Sequence, residues 1–431
     1  MGTALTSAIV FISRLNVRML VEMELMARGI MNFVECSNAA SCLAALATDP
    51  RAMIVIDTEH EERELIKVLR GAQGPHRMDT RPIYLIPYTP SEKILAYSIE
   101  YNIAQLHTGE LTKGQIQINL DELQRYGQRT VFEAETYAKV VKARKSHKKQ
   151  EVRELLVKLC EREPENIQAS NELAATLCEM DLWREAEVQL IEAVAKYPFD
   201  TRAKHLLARC FMKRNDFSKA RYYLEQASLL SPFNAERLCD LGQIFLDQYQ
   251  LAEALGTFRE VLSLDPDLHE GKIGEAQCEL LLSDANEALK VVRQFEDPYE
   301  FASVFNGSAI IAVRMGHYPK GIKLYKAAVS YLVDHPYLLS RVFFNMGIGL
   351  WKWGKGSLAV AAFEKAVELD GTNDKAQFNA DFVRVKLQAL EGGDTYVNPE
   401  EGPFNTLNRI DTMDDFDGIN EEDFSDLGSG T

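Results

Sequence analysis

The chain has 431 residues, of which 46% are hydrophobic and 26% charged, with a formal net charge of -16. That balance describes a folded protein of two or three domains and argues against general binding to nucleic acid or an anionic membrane. No stretch reaches the roughly 20 apolar residues of a bilayer span. MGTALTSAIVFISRLNV has neither a basic n-region nor a small-residue cleavage site, so a cytoplasmic protein is expected.

Residues 1–128 alternate short apolar runs (SAIVFI, NFVE, AMIVID, PIYLIP, IAQLH) with helical segments such as NVRMLVEMELMARG, EERELIKVLRG and SEKILAYSIEY. Five apolar strands separated by helices predict an open parallel sheet covered on both faces. This order resembles the receiver domain of bacterial two-component signalling, an α/β doubly wound, flavodoxin-like fold with its site at the carboxyl ends of the strands. The resemblance implies an acidic pair after the first strand to hold magnesium, a phosphoacceptor aspartate closing the third, a hydroxyl after the fourth and a lysine after the fifth.

Asp57, closing AMIVID, matches the phosphoacceptor. The acidic pair falls on Ile12 and Ser13, the hydroxyl on Pro87 or, with a slip of register, Thr89, and the lysine on His107 or Thr108. Without those carboxylates a divalent cation loses ligands, and without cation and lysine the charge of a transferring phosphoryl group is uncompensated. The expectation is a pseudo-receiver with a structural Asp57. EHEERE after Asp57 reads as the charged first turn of a helix, and His107 as a surface or strand-end hydrogen bonder. Helices around 90–101 and 115–126 are where receiver-like domains pair, which makes a homodimer a candidate assembly.

Residues 129–166 are expected to be a helical linker or a degenerate first repeat. Their basic run VVKARKSHKK reads as a solvated helix face, without the aromatic platform of a nucleic-acid site. Beyond it, Pro164, Pro198, Pro232 and Pro266 stand 34 residues apart. A fixed period of this length predicts a solenoid of helical hairpins, each covering its apolar face with its neighbours. Counting from Ile167, small residues recur at positions 8, 20 and 27 (Ala174, Ala186, Ala193; Ala208, Ala220, Ala227; Gly242, Ala254, Val261), and Leu190, Leu224 and Phe258 fill position 24. The pattern resembles the tetratricopeptide repeat (TPR) family. About six hairpins are predicted over 167–373 and a capping helix over 374–391.

In that family, defined positions of each first helix face a protein-binding groove. Carried onto this chain they give Asn171, Arg202, His205, Arg209, Lys213, Gln243, Asn306, Arg314, Arg341, Phe344, Trp351 and Lys352, either a surface for a protein or peptide, acidic among the candidates, or an ordinarily solvated helix face. The clamp by which some members hold chaperone C termini is not reproduced, because Ala175, Leu206, Glu236 and Asp240 stand at clamp-like places. Residues 392–431 form an acidic tail that carries Met413, Phe416, Ile419 and Phe424 between its acids over 411–426; it is expected to be disordered, either as a plain solubilising tail or as a ligand of the chain's own groove.

Seven cysteines without CxxC spacing read as reduced core residues, and the absence of a phosphate-cradling glycine loop, a zinc motif or a nucleophile elbow predicts no metal, no cofactor and no enzyme. The reading is a non-catalytic signalling adaptor or scaffold; the alternative is a phosphorylation-controlled response regulator that uses Asp57 and has the repeats as output.

Overall fold

The computed structural model describes residues 6–49, 52–73, 82–126, 131–282 and 297–391. Five parallel strands, β1 (Ser7–Phe11), β2 (Asn32–Glu35), β3 (Met53–Asp57), β4 (Ile83–Ile86) and β5 (Gln105–Leu106), form one sheet in the order β2-β1-β3-β4-β5. Helices α1 (Leu15–Ala27), α2 (Ala39–Thr48), α3 (Glu62–Ala72), α4 (Glu92–Glu100) and α5 (Lys113–Tyr126) alternate with the strands. The runs SAIVF, MIVID and IYLI are fully buried, as strands covered on both faces must be. On one face Ile9, Phe11, Ile54, Ile56 and Leu85 pack with Cys42, Leu69 and Tyr97. On the other, Ala8, Val10, Val55 and Tyr84 pack with Val17, Val21 and Leu25 of α1 and with Ile116 and Leu120 of α5. Strand order reverses at β1 and β3, so the crevice at their carboxyl ends opens beside Asp57.

An all-α repeat region follows. The chain divides into two compact units, 1–234 and 235–431. In the first, the sheet domain is followed by α6 (Val131–Lys145), α7 (Lys149–Arg162), α8 (Ile167–Glu179), α9 (Trp183–Lys196), α10 (Thr201–Lys213) and α11 (Phe217–Leu230). The hairpin turns are set by the backbone: His147, Asp181 and Asn215 adopt φ of 53°, 59° and 58°. After each left-handed residue the next amide reaches back five residues, Lys148 to Ala143, Leu182 to Leu177 and Asp216 to Phe211, closing the helix with the 6→1 bond of a Schellman motif. Asn166 and Asp200 then cap α8 and α10 by accepting from Ala169 N (2.9 Å) and from Arg202 N and Ala203 N (3.0 and 2.9 Å). Small buried residues, Ala174 with Ala186 and Ala208 with Ala220, sit where paired helices approach.

The second unit contains α12 (Ala235–Asp247), α13 (Leu251–Leu264), α14 (His269–Leu282), α15 (Pro298–Arg314), α16 (Tyr318–Tyr331), α17 (Pro336–Lys352), α18 (Gly356–Leu369) and α19 (Asp374–Glu391). Its core runs from Leu246 and Phe258 through Phe301, Phe305 and Tyr325 to Phe343, Phe363 and Val383. Gly242 and Gly274 face the Phe258 ring and Gly347 faces the Phe363 ring, leaving no room for a Cβ at Gly274 or Gly347. The second helix expected between Leu282 and Pro298, and the tail with its anchors over 411–426, lie outside the described residues.

Candidate functional site

The crevice at the carboxyl ends of β1 and β3 is built around Asp57, whose side chain has no exposed surface. Parallel register sets Phe11 beside Ile56, so the turn leaving β1 passes directly over the aspartate. From that turn Ser13 N donates to Asp57 Oδ1 (3.2 Å) and Arg14 N to Oδ2 (3.4 Å), while Ser13 Oγ lies 3.3 Å from Oδ1. Arg14 Nε completes the contact at 3.1 Å from Oδ2. Its Nη2 donates to the Ile86 carbonyl at 3.4 Å and its guanidinium lies 5.5 Å from the centre of the Tyr88 ring.

His60 closes the remaining side. Its ring stacks on Phe11 at 3.6 Å, and Nε2 stands 3.2 Å from the Phe11 carbonyl oxygen and 3.3 Å from Asp57 Oδ1. Both neighbours are acceptors, so Nε2 carries the proton. Thr58 Oγ1 accepts from Tyr88 N at 2.8 Å, tying the turn after β3 to the one after β4.

A magnesium ion of the receiver type does not fit this chemistry. Ile12 is buried and Ser13 is neutral where carboxylates would be needed, and the Arg14 guanidinium already supplies a positive charge on Oδ2. Among the described residues no group of three or more His, Cys, Asp or Glu could hold a metal ion.

His107, at the position of the receiver lysine, is buried in a polar network rather than placed at the surface. Its Nε2 lies 3.3 Å from the Glu110 carbonyl, which can only accept, so Nε2 carries the proton and Nδ1 accepts from Tyr84 OH (2.7 Å) and Asn119 Nδ2 (3.0 Å). Asn119 Nδ2 also donates to Tyr84 OH (3.0 Å), and Gln105 and Gln115 each donate to Asn119 Oδ1 at 3.1 Å. Burial lowers the His107 pKa, with the nearby Arg14 charge adding to the effect, and burial pushes the Tyr84 phenol up to about 12. The network spans β4, β5 and α5 with neutral groups.

Within the first unit the sheet domain meets the repeats along α4. Glu100, buried at the end of that helix, accepts from Thr201 Oγ1 at 2.6 Å and from Asn234 Nδ2 at 2.7 Å. Phe233 packs against the α2/α3/α4 core, with the Arg63 guanidinium 5.2 Å from its ring centre. The end of α4 is thus occupied within the chain. Beside the junction lies a cleft of about 580 Å³ with Asn102, Glu133, Glu163 and Glu165 in its lining.

The groove residues expected from the repeat phase take varied positions. In the first unit Asn171 is buried and donates to Asp200 Oδ2 at 2.8 Å, and His205 is buried. Arg202 (2.5 Å) and Arg144 of the basic run (2.7 Å) grip the two oxygens of buried Glu172, joining α6, α8 and α10 in one ion network. Arg209 is exposed, and Lys213 lies 5.3 Å from the centre of the Trp183 ring. In the second unit Asn306, Phe344 and Trp351 are buried, the last two against Phe363 and Phe382 at centroid separations of 5.9 and 6.4 Å. Gln243 donates to Asp247 at 3.2 Å, Arg314 is exposed, Arg341 lies 4.9 Å from the centre of the Tyr337 ring and Lys352 is half-buried.

Arg14 and Glu100 were not among the residues singled out from sequence. A base directly after strand one, where the receiver pattern wants acids, was the available signal for Arg14. Glu100 carries none, because its partners are 101 and 134 residues away.

Residues 172–235 match the tetratricopeptide repeat family model. A DnaJ homolog subfamily C member 7 homolog of Schizosaccharomyces pombe is 23% identical over 210 residues, 44% of this chain and 43% of that protein; the chain therefore matches less than half of the relative's length. Among solved structures, a tetratricopeptide repeat protein of Parabacteroides merdae covers 58% of this chain and 98% of its own at 14% identity and a TM-score of 0.42. YrrB, a TPR protein with an unusual peptide-binding site, covers 52% and 96% at 15% identity and a TM-score of 0.27. The architecture is an N-terminal five-stranded parallel α/β domain followed by an all-α region of helical hairpins, within which residues 172–235 match the tetratricopeptide repeat model. Among the described residues no helix is long and apolar enough to cross a membrane.

Proposed function

We propose that this chain is a non-catalytic adaptor: its repeats bind a protein or peptide, and its front domain is a receiver-like module that no longer takes a phosphoryl group. The observation that carries the second half is the enclosure of Asp57. Arg14 neutralises the carboxylate that a phosphodonor would have to reach, and Ser13, His60 and the Arg14 amide fill its lone-pair directions. In-line attack on a phosphoryl group needs a carboxylate oxygen presented to the donor and a cation to gather the developing charge. Here both carboxylate oxygens are already engaged, and the cation beside them is a guanidinium committed to the carboxylate itself, which supports a domain without phosphoryl transfer.

The first half rests on the repeat match and on cations along the first helices, Arg209 in one unit and Arg314 and Arg341 in the other. TPR modules work by binding rather than by chemistry, and in each unit taken by itself a first-helix face bearing such a group suits a peptide with acidic side chains. Photo-crosslinking groups placed at Arg209 and, in a separate chain, at Arg314 identify what each unit binds, and affinity is then measured for the unaltered chain and for R209E and R314E singly. A loss of at least ~10-fold is expected in the unit whose complementary charge is reversed. Equal affinity would remove the groove from the proposal.

A further inference from the structure

Helix α1 is apolar on two opposite sides. Val17, Val21 and Leu25 face the sheet and are buried, while Leu15, Met19, Met23 and Met26 follow one another along the outer side with 59%, 54%, 56% and 46% of their surface exposed. Met31, just beyond the Gly29 turn that ends the helix, is 71% exposed. An exposed apolar row opposite the buried one is the mark of a contact surface, so the outer row of α1 is a candidate interface. Helix α2 (AASCLAALAT) is apolar too but places no large exposed side chain on its outer side, and the remaining helices are polar at their starts or along their length. The first turn of α3 carries Glu62 and Glu64, α4 opens with Glu92 and Lys93, and the sequence of α5 is rich in Gln, Asp and Glu.

We propose that the outer face of α1 is the surface on which two copies of this chain pair. The row exposes on the order of 500 Å² of apolar side chain; with its polar margin this approaches the ~800 Å² per partner of a standard interface. The margin is self-complementary. Arg18 and Glu22 lie on one flank of the row, with Arg18 Nε 3.8 Å from Glu22 Oε1 and Nη1 3.5 Å from Glu35 Oε2. An antiparallel two-fold with its axis between Met19 and Met23 sets Leu15 near Met26 of the second copy, and Arg18 beside the second copy's Glu22. A two-fold interface needs this property, because the same patch must serve as both partners.

The platform is rigid. At the end of α1, Arg28 is held by Glu24 at 2.8 Å and by Asp121 of α5 at 2.7 Å. Methionine suits such a contact, since its flexible thioether fills the gaps between two identical helices. The end of α4, by contrast, is already occupied by Thr201 and Asn234.

The inference is independent of the groove and is tested by mass rather than by ligand affinity. Light scattering and sedimentation equilibrium on the full chain at micromolar concentrations are expected to give twice the single-chain mass of 48.7 kDa. M19E/M23E alters only exposed positions; it should keep the unaltered circular dichroism and return the single-chain mass. R18E should raise the dimer dissociation constant by at least ~10-fold, and R18E/E22R should recover most of the loss. A single-chain mass for the unaltered protein, as expected if this face serves a different protein, overturns the proposal, as does a dimer that survives M19E/M23E undiminished.

Discussion

Arg14 approaches Asp57 Oδ2 twice, through its side-chain Nε at 3.1 Å and its own backbone amide at 3.4 Å. One residue thereby supplies the charge and part of the hydrogen-bonded cradle. Removing the carboxylate leaves the mostly buried guanidinium with only the more distant Glu59 Oε2, at 3.7 Å, as its carboxylate partner among the described residues. Asp57→Ala is expected to cost about 2–3 kcal/mol in urea unfolding, and Asp57→Asn less, because the amide retains an acceptor. Incubation of the unaltered chain with a small-molecule phosphodonor and magnesium should leave its intact mass unchanged. An Asp57-dependent phosphoryl adduct would overturn the locked-receiver reading.

Glu100 joins the sheet domain to the repeats through two neutral donors. Hydrogen bonds to a buried carboxylate are worth more than neutral ones, so Glu100→Ala should weaken the junction by about 2 kcal/mol. Hydrogen exchange should then accelerate in residues 92–101 and 198–206. Amides of the second unit serve as the internal control; general acceleration there would mean unfolding rather than undocking.

The pH dependence of stability should carry the signature of His107. Its folded pKa lies below the ordinary histidine value because burial penalises the imidazolium. As pH falls through about 6.5 the unfolded chain takes up a proton that the folded chain refuses, so stability drops on acidification, with a slope of at most ~1.4 kcal/mol per pH unit until the folded pKa is reached. Above pH 7 this contribution is constant. Urea midpoints at pH 7.5, 6.5 and 5.5 for the unaltered chain and His107→Gln should diverge in slope only over the acidic interval.

Gly347 is predicted to tolerate no larger residue. A Cβ there would overlap the Phe363 ring, and the two helices would have to separate. Gly347→Ala should cost about 1–3 kcal/mol by overpacking, and Phe363→Leu in the same chain should recover part of it. Chemical denaturation of both variants decides the point; a neutral Gly347→Ala would mean that the helices α17 and α18 can move apart freely.

Local and periodic features were legible in the sequence. The apolar runs gave β1, β3 and β4 because a doubly covered parallel strand needs little else, whereas the mostly exposed β2 and half-buried β5 were legible from their alternation with helices, and Ala174, Ala208 and Gly347 revealed close helix approaches because only small residues fit. The repeat phase, however, reports which way a side chain leaves its helix and not what lies over it. Phe344 and Trp351, assigned to a groove by position, are buried beside Phe363 and Phe382. Arg144 sits in a run that reads as solvated, yet its guanidinium meets Glu172 of α8 at 2.7 Å. Such pairings depend on tertiary approach, for which one sequence carries no periodic signal.

Thr201 and Asn234 are the first and last residues of a single 34-residue unit, and Glu100 grips both. The corresponding places in the unit before are Ile167 and Asp200, and in the unit after Ala235 and Leu268; three of these are apolar, and the Asp200 carboxyl is taken up as an acceptor by Asn171 and the amides of Arg202 and Ala203. Repeats that are interchangeable as backbone are therefore not interchangeable as addresses. Duplicating or excising one unit would preserve the helical phase, but of these three units the one from Thr201 to Asn234 alone carries the pair of donors to which the sheet domain moors.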